Sequence, residues 1–174
     1  MSSFKVPRSC RQSPRHSRLA TSLAAILLLW PVVAMSATEG PFRAFLGNWK
    51  GAGDIVAADG HKERVICRAS YASTENGVTL TQSLVCASDS YRFDVKGVFV
   101  AEGGTLKGHW AETTRNISGD LLGRVGNGDF EGMVTGPNFT AQMAVKSKRA
   151  EQLVSIKPSG GDIASIEVTL QRLR

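Results

Sequence analysis

Residues that usually carry chemistry are scarce in this chain of 174 residues. It has three histidines and three cysteines, with no metal-ligand spacing among them. No Ser-His-Asp order, nucleophile elbow or glycine-rich phosphate loop can be found. These gaps predict a protein that is not an enzyme and needs no metal or cofactor. Long amphipathic helical patterns are also missing, which excludes a helical bundle. The first 18 residues contain no Asp or Glu, whereas Lys5, Arg8, Arg11, Arg15 and Arg18 all fall there.

An apolar run, "LATSLAAILLLWPVVAMSA" from Leu19 to Ala37, follows that basic segment. A basic start, an apolar middle and a small-residue exit describe a secretory signal peptide over residues 1–37. Cleavage is expected after Ala37, with Ala34 the alternative; an uncleaved anchor is the other reading of the same run. There is no cysteine at the exit for a lipid anchor, nor a twin-arginine pair. The expected location is therefore the periplasm or the medium, with no stable membrane anchor after processing. The leader also explains the formal net charge of +6. It holds five of the 21 Lys and Arg and none of the 15 Asp and Glu, leaving 16 positive against 15 negative groups. With no basic stripe in the remainder, nucleic acid is not an expected partner.

Cys10 leaves with the leader, so Cys67 and Cys86 remain, an even pair in an oxidising compartment. Between them lies Asn76-Gly77, the preferred dipeptide of a two-residue type I′ hairpin. Cys67 stands nine residues before Asn76 and Cys86 nine residues after Gly77. A turn at that dipeptide sets the two cysteines directly opposite on adjacent strands, which predicts a disulfide. Counting outward from a two-residue turn puts them on a hydrogen-bonded pair, with Cα atoms about 5.5 Å apart. Tyr71 and Gln82 face each other in the same register, on the same side as the cysteines.

Residues 38–174 read as a single domain of short alternating strands. In "YRFDVKGVF", Tyr91, Phe93, Val95 and Phe99 share one face, and Arg92, Asp94 and Lys96 share the other. Phe139, Ala141, Met143 and Val145 alternate with polar residues in the same way, as do Ile166, Val168, Leu170 and Arg172. Nine or ten strands are expected, at 44–57, 62–73, 78–88, 90–101, 104–113, 115–125, 128–135, 138–147, 150–157 and 163–173. Glycine-rich turns separate them, and all 18 glycines lie after the leader. Several, including Gly51, Gly97, Gly119, Gly123 and Gly132, fall at inward positions within strands, where they permit sharp bending. The expected fold is all-β: one up-and-down antiparallel barrel of about 8–10 strands.

On this phasing Phe45, Gly47, Trp49 and Ile55 point inward on the first strand, and Arg172 points inward near the end of the last. This pairing resembles the lipocalin-like (calycin) barrels, which carry Gly-x-Trp on the first strand and a late arginine packed across the tryptophan. The resemblance implies a structural closure made by Gly47, Trp49 and Arg172, with Arg174 the alternative to Arg172. A middle Thr-Asp-Tyr-like motif and a C-terminal helix, usual in lipocalins, are absent. A second Gly-x-Trp occurs at Gly108-His109-Trp110. The span "CASDSYRFDV…GHWAETTRNISG" also resembles a group of small exported alphaproteobacterial proteins, a likeness that implies compartment and fold.

Two functions follow. One is an exported, non-catalytic barrel that binds a small apolar or amphipathic ligand, with Tyr71, Gln82, Phe93, Phe99, Phe139 and Met143 as candidate ligand contacts. The other is a filled-barrel envelope protein that acts through its surface, as an inhibitor or structural partner, with no ligand. His61 reads as a solvated turn residue. His109, on the face opposite Trp110, reads as structural, with a haem-ligand role as the minor alternative. Glu112 and Asp120 read as solvent-facing carboxylates.

Overall fold

A computed structural model describes residues 40–74, 77–126 and 128–174. The signal peptide expected over 1–37, Asn76 of the hairpin dipeptide, and Asn127 lie outside the described residues. Ten strands form: β1 (Gly47–Ala57), β2 (Lys62–Ser73), β3 (Thr79–Ala87), β4 (Arg92–Glu102) and β5 (Thr105–Glu112), then β6 (Ile117–Gly126), β7 (Asp129–Thr135), β8 (Thr140–Lys148), β9 (Glu151–Ser159) and β10 (Ile163–Arg172). Each pairs antiparallel with its neighbour in sequence, and β1 pairs with β10 to close the barrel. This is the expected all-β, up-and-down antiparallel barrel, at the upper end of the expected strand number. Among the described residues no helix is long and apolar enough to cross a membrane.

Period-two alternation explains the strands. In β2 the buried Val65, Cys67, Ala69 and Tyr71 alternate with exposed Ile66, Arg68 and Ser70. Burying one face against the interior while the other meets water stabilises each antiparallel strand on one side only. Closure then removes the free edges that would otherwise invite aggregation. The strands are coiled tightly enough that neighbouring backbones cross over their inward glycines. A Cβ at Gly51 would lie 1.9 Å from the Thr169 carbonyl oxygen, and one at Gly119 would lie 1.7 Å from that of Thr135.

The β2–β3 register is the expected one: Cys67 pairs with Cys86, and Tyr71 with Gln82. A disulfide joins the two cysteines. The loop, however, is longer than a two-residue turn. Thr74 N–H donates to the Thr79 carbonyl, and Gly77 N–H donates to Thr74 across an i to i+3 turn, with Gly77 at φ 69°. Lengthening the loop symmetrically preserves who faces whom but exchanges hydrogen-bonded for non-hydrogen-bonded pairs. The cysteine Cα atoms are accordingly 4.1 Å apart, the close spacing of a non-hydrogen-bonded pair, not the expected wider one.

A second departure concerns Phe45. It precedes β1, in a turn over residues 41–45 built from i to i+3 bonds such as Phe45 N–H to the Phe42 carbonyl. That turn folds over one end of the barrel, where Phe42 and Phe45 are fully buried and Phe45 packs against Phe130. The loops joining β2–β3, β4–β5, β6–β7 and β8–β9 stand at this end, and those joining β1–β2, β3–β4, β5–β6, β7–β8 and β9–β10 at the other.

Candidate functional site

At the end covered by the N-terminal turn, Trp49 and Arg172 are cross-strand partners. The Arg172 guanidinium lies over the indole, 4.2 Å from its centroid. It donates through Nη2 to the Ala44 carbonyl at 2.7 Å and through Nη1 to that of Leu46. Trp49 Nε1 donates to the Phe45 carbonyl at 2.7 Å. The planar fork of arginine suits this task, because one side of it stacks while its edge bonds two carbonyls. Gly47 has φ 107°, and a Cβ there would stand 3.2 Å from Arg172 Nη1, so glycine answers both the backbone and the close approach. Beneath the plug, Tyr71 donates across the barrel to Gln152 Oε1 at 3.1 Å, and Gln152 Nε2 donates to Ser147 at 2.8 Å. Burial pushes the Tyr71 hydroxyl well above its ordinary pKa, which keeps it a neutral donor.

The opposite end is a mouth. A cavity of about 550 Å³ enters there, rimmed by Tyr91, Arg115, Asn138 and the exposed Gly160–Asp162 loop. Its wall is built from Leu84, Phe93, Val95, Phe99, Trp110, Leu121, Val134, Phe139, Met143, Ile156 and Ile166. A smaller chamber of about 110 Å³ lies deeper, against Ile55, Val65, the Cys67–Cys86 pair, Tyr71 and Val168. The two share Gln82, Leu84, Phe93, Val95, Met143, Ile156 and Ile166 as common wall. Barrel diameter grows with strand number, and ten strands leave more interior than the side chains fill.

Of the candidate ligand contacts, Gln82, Phe93, Phe99, Phe139 and Met143 all line the main cavity. Tyr71 lines only the inner chamber, and Gln152 takes its hydroxyl. Phe99 curls over two inward glycines: a Cβ at Gly97 would meet its ring at 2.4 Å, as would one at Gly108. Trp110, on the inward phase of the second Gly-x-Trp, leans against Phe139 and donates to the Thr135 carbonyl.

Glu112 is not solvent-facing as its strand-end position suggests. It is buried, on the inward phase next to Trp110, and lines the cavity wall. Its carboxylate accepts from the backbone N–H groups of Asp94 (3.0 Å), Thr114 (3.1 Å) and Arg115 (2.8 Å), and from the Thr114 hydroxyl. Burial raises its pKa, but the Thr114 hydroxyl and these amides outweigh that and hold it at about 2. The fastened turn presents Arg115, whose guanidinium sits 5.2 Å over Phe93 and donates to the Arg92 carbonyl at 2.9 Å. Arg115 Nη1 is 3.5 Å from Glu112, and Tyr91 stacks on Phe93. The signal for this cluster was Thr113-Thr114-Arg115 directly after an inward-phase carboxylate.

His109 and Asp120 pair with one another on the outer surface, both largely exposed, so His109 does not reach the interior where a haem would bind. Asp120 is the solvent-facing carboxylate it was expected to be. His61 is an exposed turn residue. Among the described residues, no group of three His, Cys, Asp or Glu side chains is placed to hold a metal ion.

No protein-family model matches this sequence, and no curated protein matches it. Solved structures do. Rv2717c from M. tuberculosis superposes with a TM-score of 0.58 at 14% identity, covering 76% of this chain and 95% of its own. The S-type phycobiliprotein lyase CPES from Guillardia theta superposes with a TM-score of 0.54 at 13% identity, covering 76% of this chain and 90% of its own. At such identities the likeness is one of fold, and nearly all of each neighbour takes part in it.

Proposed function

We propose that this chain is an exported, non-catalytic, lipocalin-like barrel that binds a small apolar or amphipathic molecule in the periplasm or outside the cell. The cavity carries this reading: about 550 Å³, walled by apolar and aromatic side chains and entered from one end. That volume falls in the usual range for drug-sized ligands, and a mostly apolar wall with a few polar groups is the usual composition of such sites. Phe93, Phe99, Phe139 and Met143 supply contact area, and Gln82 supplies polarity. Gly47, Trp49 and Arg172 act as the structural closure of the far end.

The chemistry of the polar groups favours binding over catalysis. Glu112 is held ionised by four donors, so its lone pairs are spent on the loop and it is poorly placed to shuttle a proton. His109 faces away from the cavity. The lyase activity named for one neighbour does not transfer at 13% identity. Export rests on the N-terminal pattern of residues 1–37 and agrees with the Cys67–Cys86 disulfide. The filled-barrel alternative has less support, since it leaves so large an interior volume without a use.

Native mass spectrometry of the protein purified from the periplasmic fraction tests both halves. A processed chain beginning near Thr38 and carrying a copurifying small molecule is the expected result. A processed chain that carries nothing and binds no apolar dye would overturn the ligand reading. A full-length chain in the membrane fraction would overturn export.

A further inference from the structure

Below the rim, one polar side chain of the cavity wall is left over among the described residues once their hydrogen bonds are assigned. The Tyr71 hydroxyl is used by Gln152, the Trp110 N–H by Thr135 and the Glu112 carboxylate by its loop. The Gln82 amide has no hydrogen-bond partner among the described residues. It nevertheless stands in the wall common to the main cavity and the inner chamber, among Leu84, Phe93, Val95 and Met143. Gly97 is its cross-strand partner, and the Phe99 ring lies over that glycine, so the amide stands beside an aromatic face. Gln82 is half-buried and open to water from the cavity. An amide in apolar surroundings is costly unless it is hydrogen-bonded, so a ligand that displaces that water must itself meet the donors and acceptor.

Resting on the binding-barrel reading above, we propose that Gln82 is the specificity-determining residue of the cavity. It selects a neutral, drug-sized molecule whose apolar body carries a carbonyl or hydroxyl oxygen part-way along its length, not a plain hydrocarbon and not a buried ion. Neutrality follows from what stands at that depth. Gln82 and Tyr71 are uncharged, and the charged pair nearer the mouth, wall residue Glu112 with Arg115 at the rim, is engaged with itself, with its loop amides and with the Arg92 carbonyl. A charged group pushed in as far as Gln82 would be buried with no counter-ion. An apolar molecule at the same place would strip the amide of hydrogen bonds and leave it unsatisfied, a penalty of about 10- to 100-fold in affinity.

Benzophenone, diphenylmethanol and diphenylmethane are close in size and differ in the group between the rings, the last two also sharing a tetrahedral bridging carbon. Calorimetric titration of each into the processed wild-type protein, Gln82→Leu and Arg115→Gln, with thermal unfolding to verify that each variant folds, isolates the amide. The expected result is that the preference for the two oxygen-bearing probes over diphenylmethane drops about 10-fold or more in Gln82→Leu. Part of that drop should appear as tighter binding of diphenylmethane. Arg115→Gln should leave the preference as in wild type, since the rim does not reach that depth. Binding of all three probes with the same preference in wild type and Gln82→Leu overturns the selectivity assigned to Gln82 while leaving the binding barrel intact. Binding of none to wild type overturns the barrel reading and this one with it.

Discussion

Replacing Arg172 with methionine should cost about 3 kcal/mol of folding stability, and the figure can be assembled from the closed end of the barrel. Methionine keeps most of the apolar stem and removes only the guanidinium fork, so burial of the stem changes little. Three interactions disappear. The cation–π contact with Trp49, at 4.2 Å and partly shielded from water, contributes about 1 kcal/mol. The bonds to the Ala44 and Leu46 carbonyls contribute about 1 kcal/mol each, below the usual range for charge-assisted bonds and typical of neutral ones, because both residues are only half-buried. Those carbonyls belong to the chain that carries Phe42 and Phe45 onto the barrel end, so the loss should also loosen that turn. Urea unfolding followed by tryptophan emission is the assay, since Trp49 and Trp110 are the two tryptophans beyond the leader. Arg172→Lys should recover less than half of the loss, because a point charge cannot stack and bond two carbonyls together. A double-mutant cycle with Trp49→Phe should return a coupling of about 0.5–1 kcal/mol. If Arg172→Met unfolds within about 0.5 kcal/mol of wild type with the same denaturant slope, the plug is decoration and the reasoning fails.

The Cys67→Ala/Cys86→Ala variant should lose about 2–4 kcal/mol, and wild type unfolded in reductant should fall to the same midpoint; equal stability with and without reductant would contradict the bond. Glu112 has a folded pKa held below its unfolded value, so it stabilises the fold above about pH 4.5, and the contribution drains away as pH falls towards 2. Allowing for screening near the mouth it is worth about 1–2 kcal/mol, and Glu112→Gln should flatten the acid limb of a stability–pH curve over that window while lowering the neutral plateau. Tyr71→Phe should cost about 1–3 kcal/mol by leaving Gln152 Oε1 buried without its donor, as read by urea unfolding.

Which parts of this architecture are legible in the sequence depends on whether the information is local. Period-two runs and glycine-bearing turns are local, and they place the strands to within a few residues. The facing of Cys67 and Cys86 is also local, because any symmetric loop around Asn76-Gly77 gives the same partners. Whether that pair is hydrogen-bonded is not, since it hinges on a loop of four residues in place of two. Phe45 fails for a related reason. Extending the alternation back past Gly47 assumes an extended chain, and φ 107° at that glycine ends the strand and sends the preceding residues over the barrel end. Contacts such as Tyr71 with Gln152, 81 residues apart, exist only once β1 has met β10, so no spacing rule reveals them.

The cavity is the hardest case, because inward glycines suggest empty space and here do not provide it. At Gly51, Gly119 and Gly123 a neighbouring strand's carbonyl stands where a Cβ would be, and at Gly97 the Phe99 ring does. The glycines are absorbed by coiling and by aromatic rings. The open volume comes instead from circumference. Ten strands enclose more cross-section than alternating Leu, Val, Ile and Phe fill, and the turn at 41–45 closes only one end with Phe42, Phe45 and Trp49. At the other end no comparable plug exists among the described residues; Glu112 spends its charge on holding Arg115 at the rim and the interior stays open. A sequence with the same alternation, two fewer strands and a second aromatic turn would fold to a filled barrel. Strand number and the asymmetry of the two ends therefore make this chain a candidate carrier, and the amide of Gln82 is what would make it a selective one.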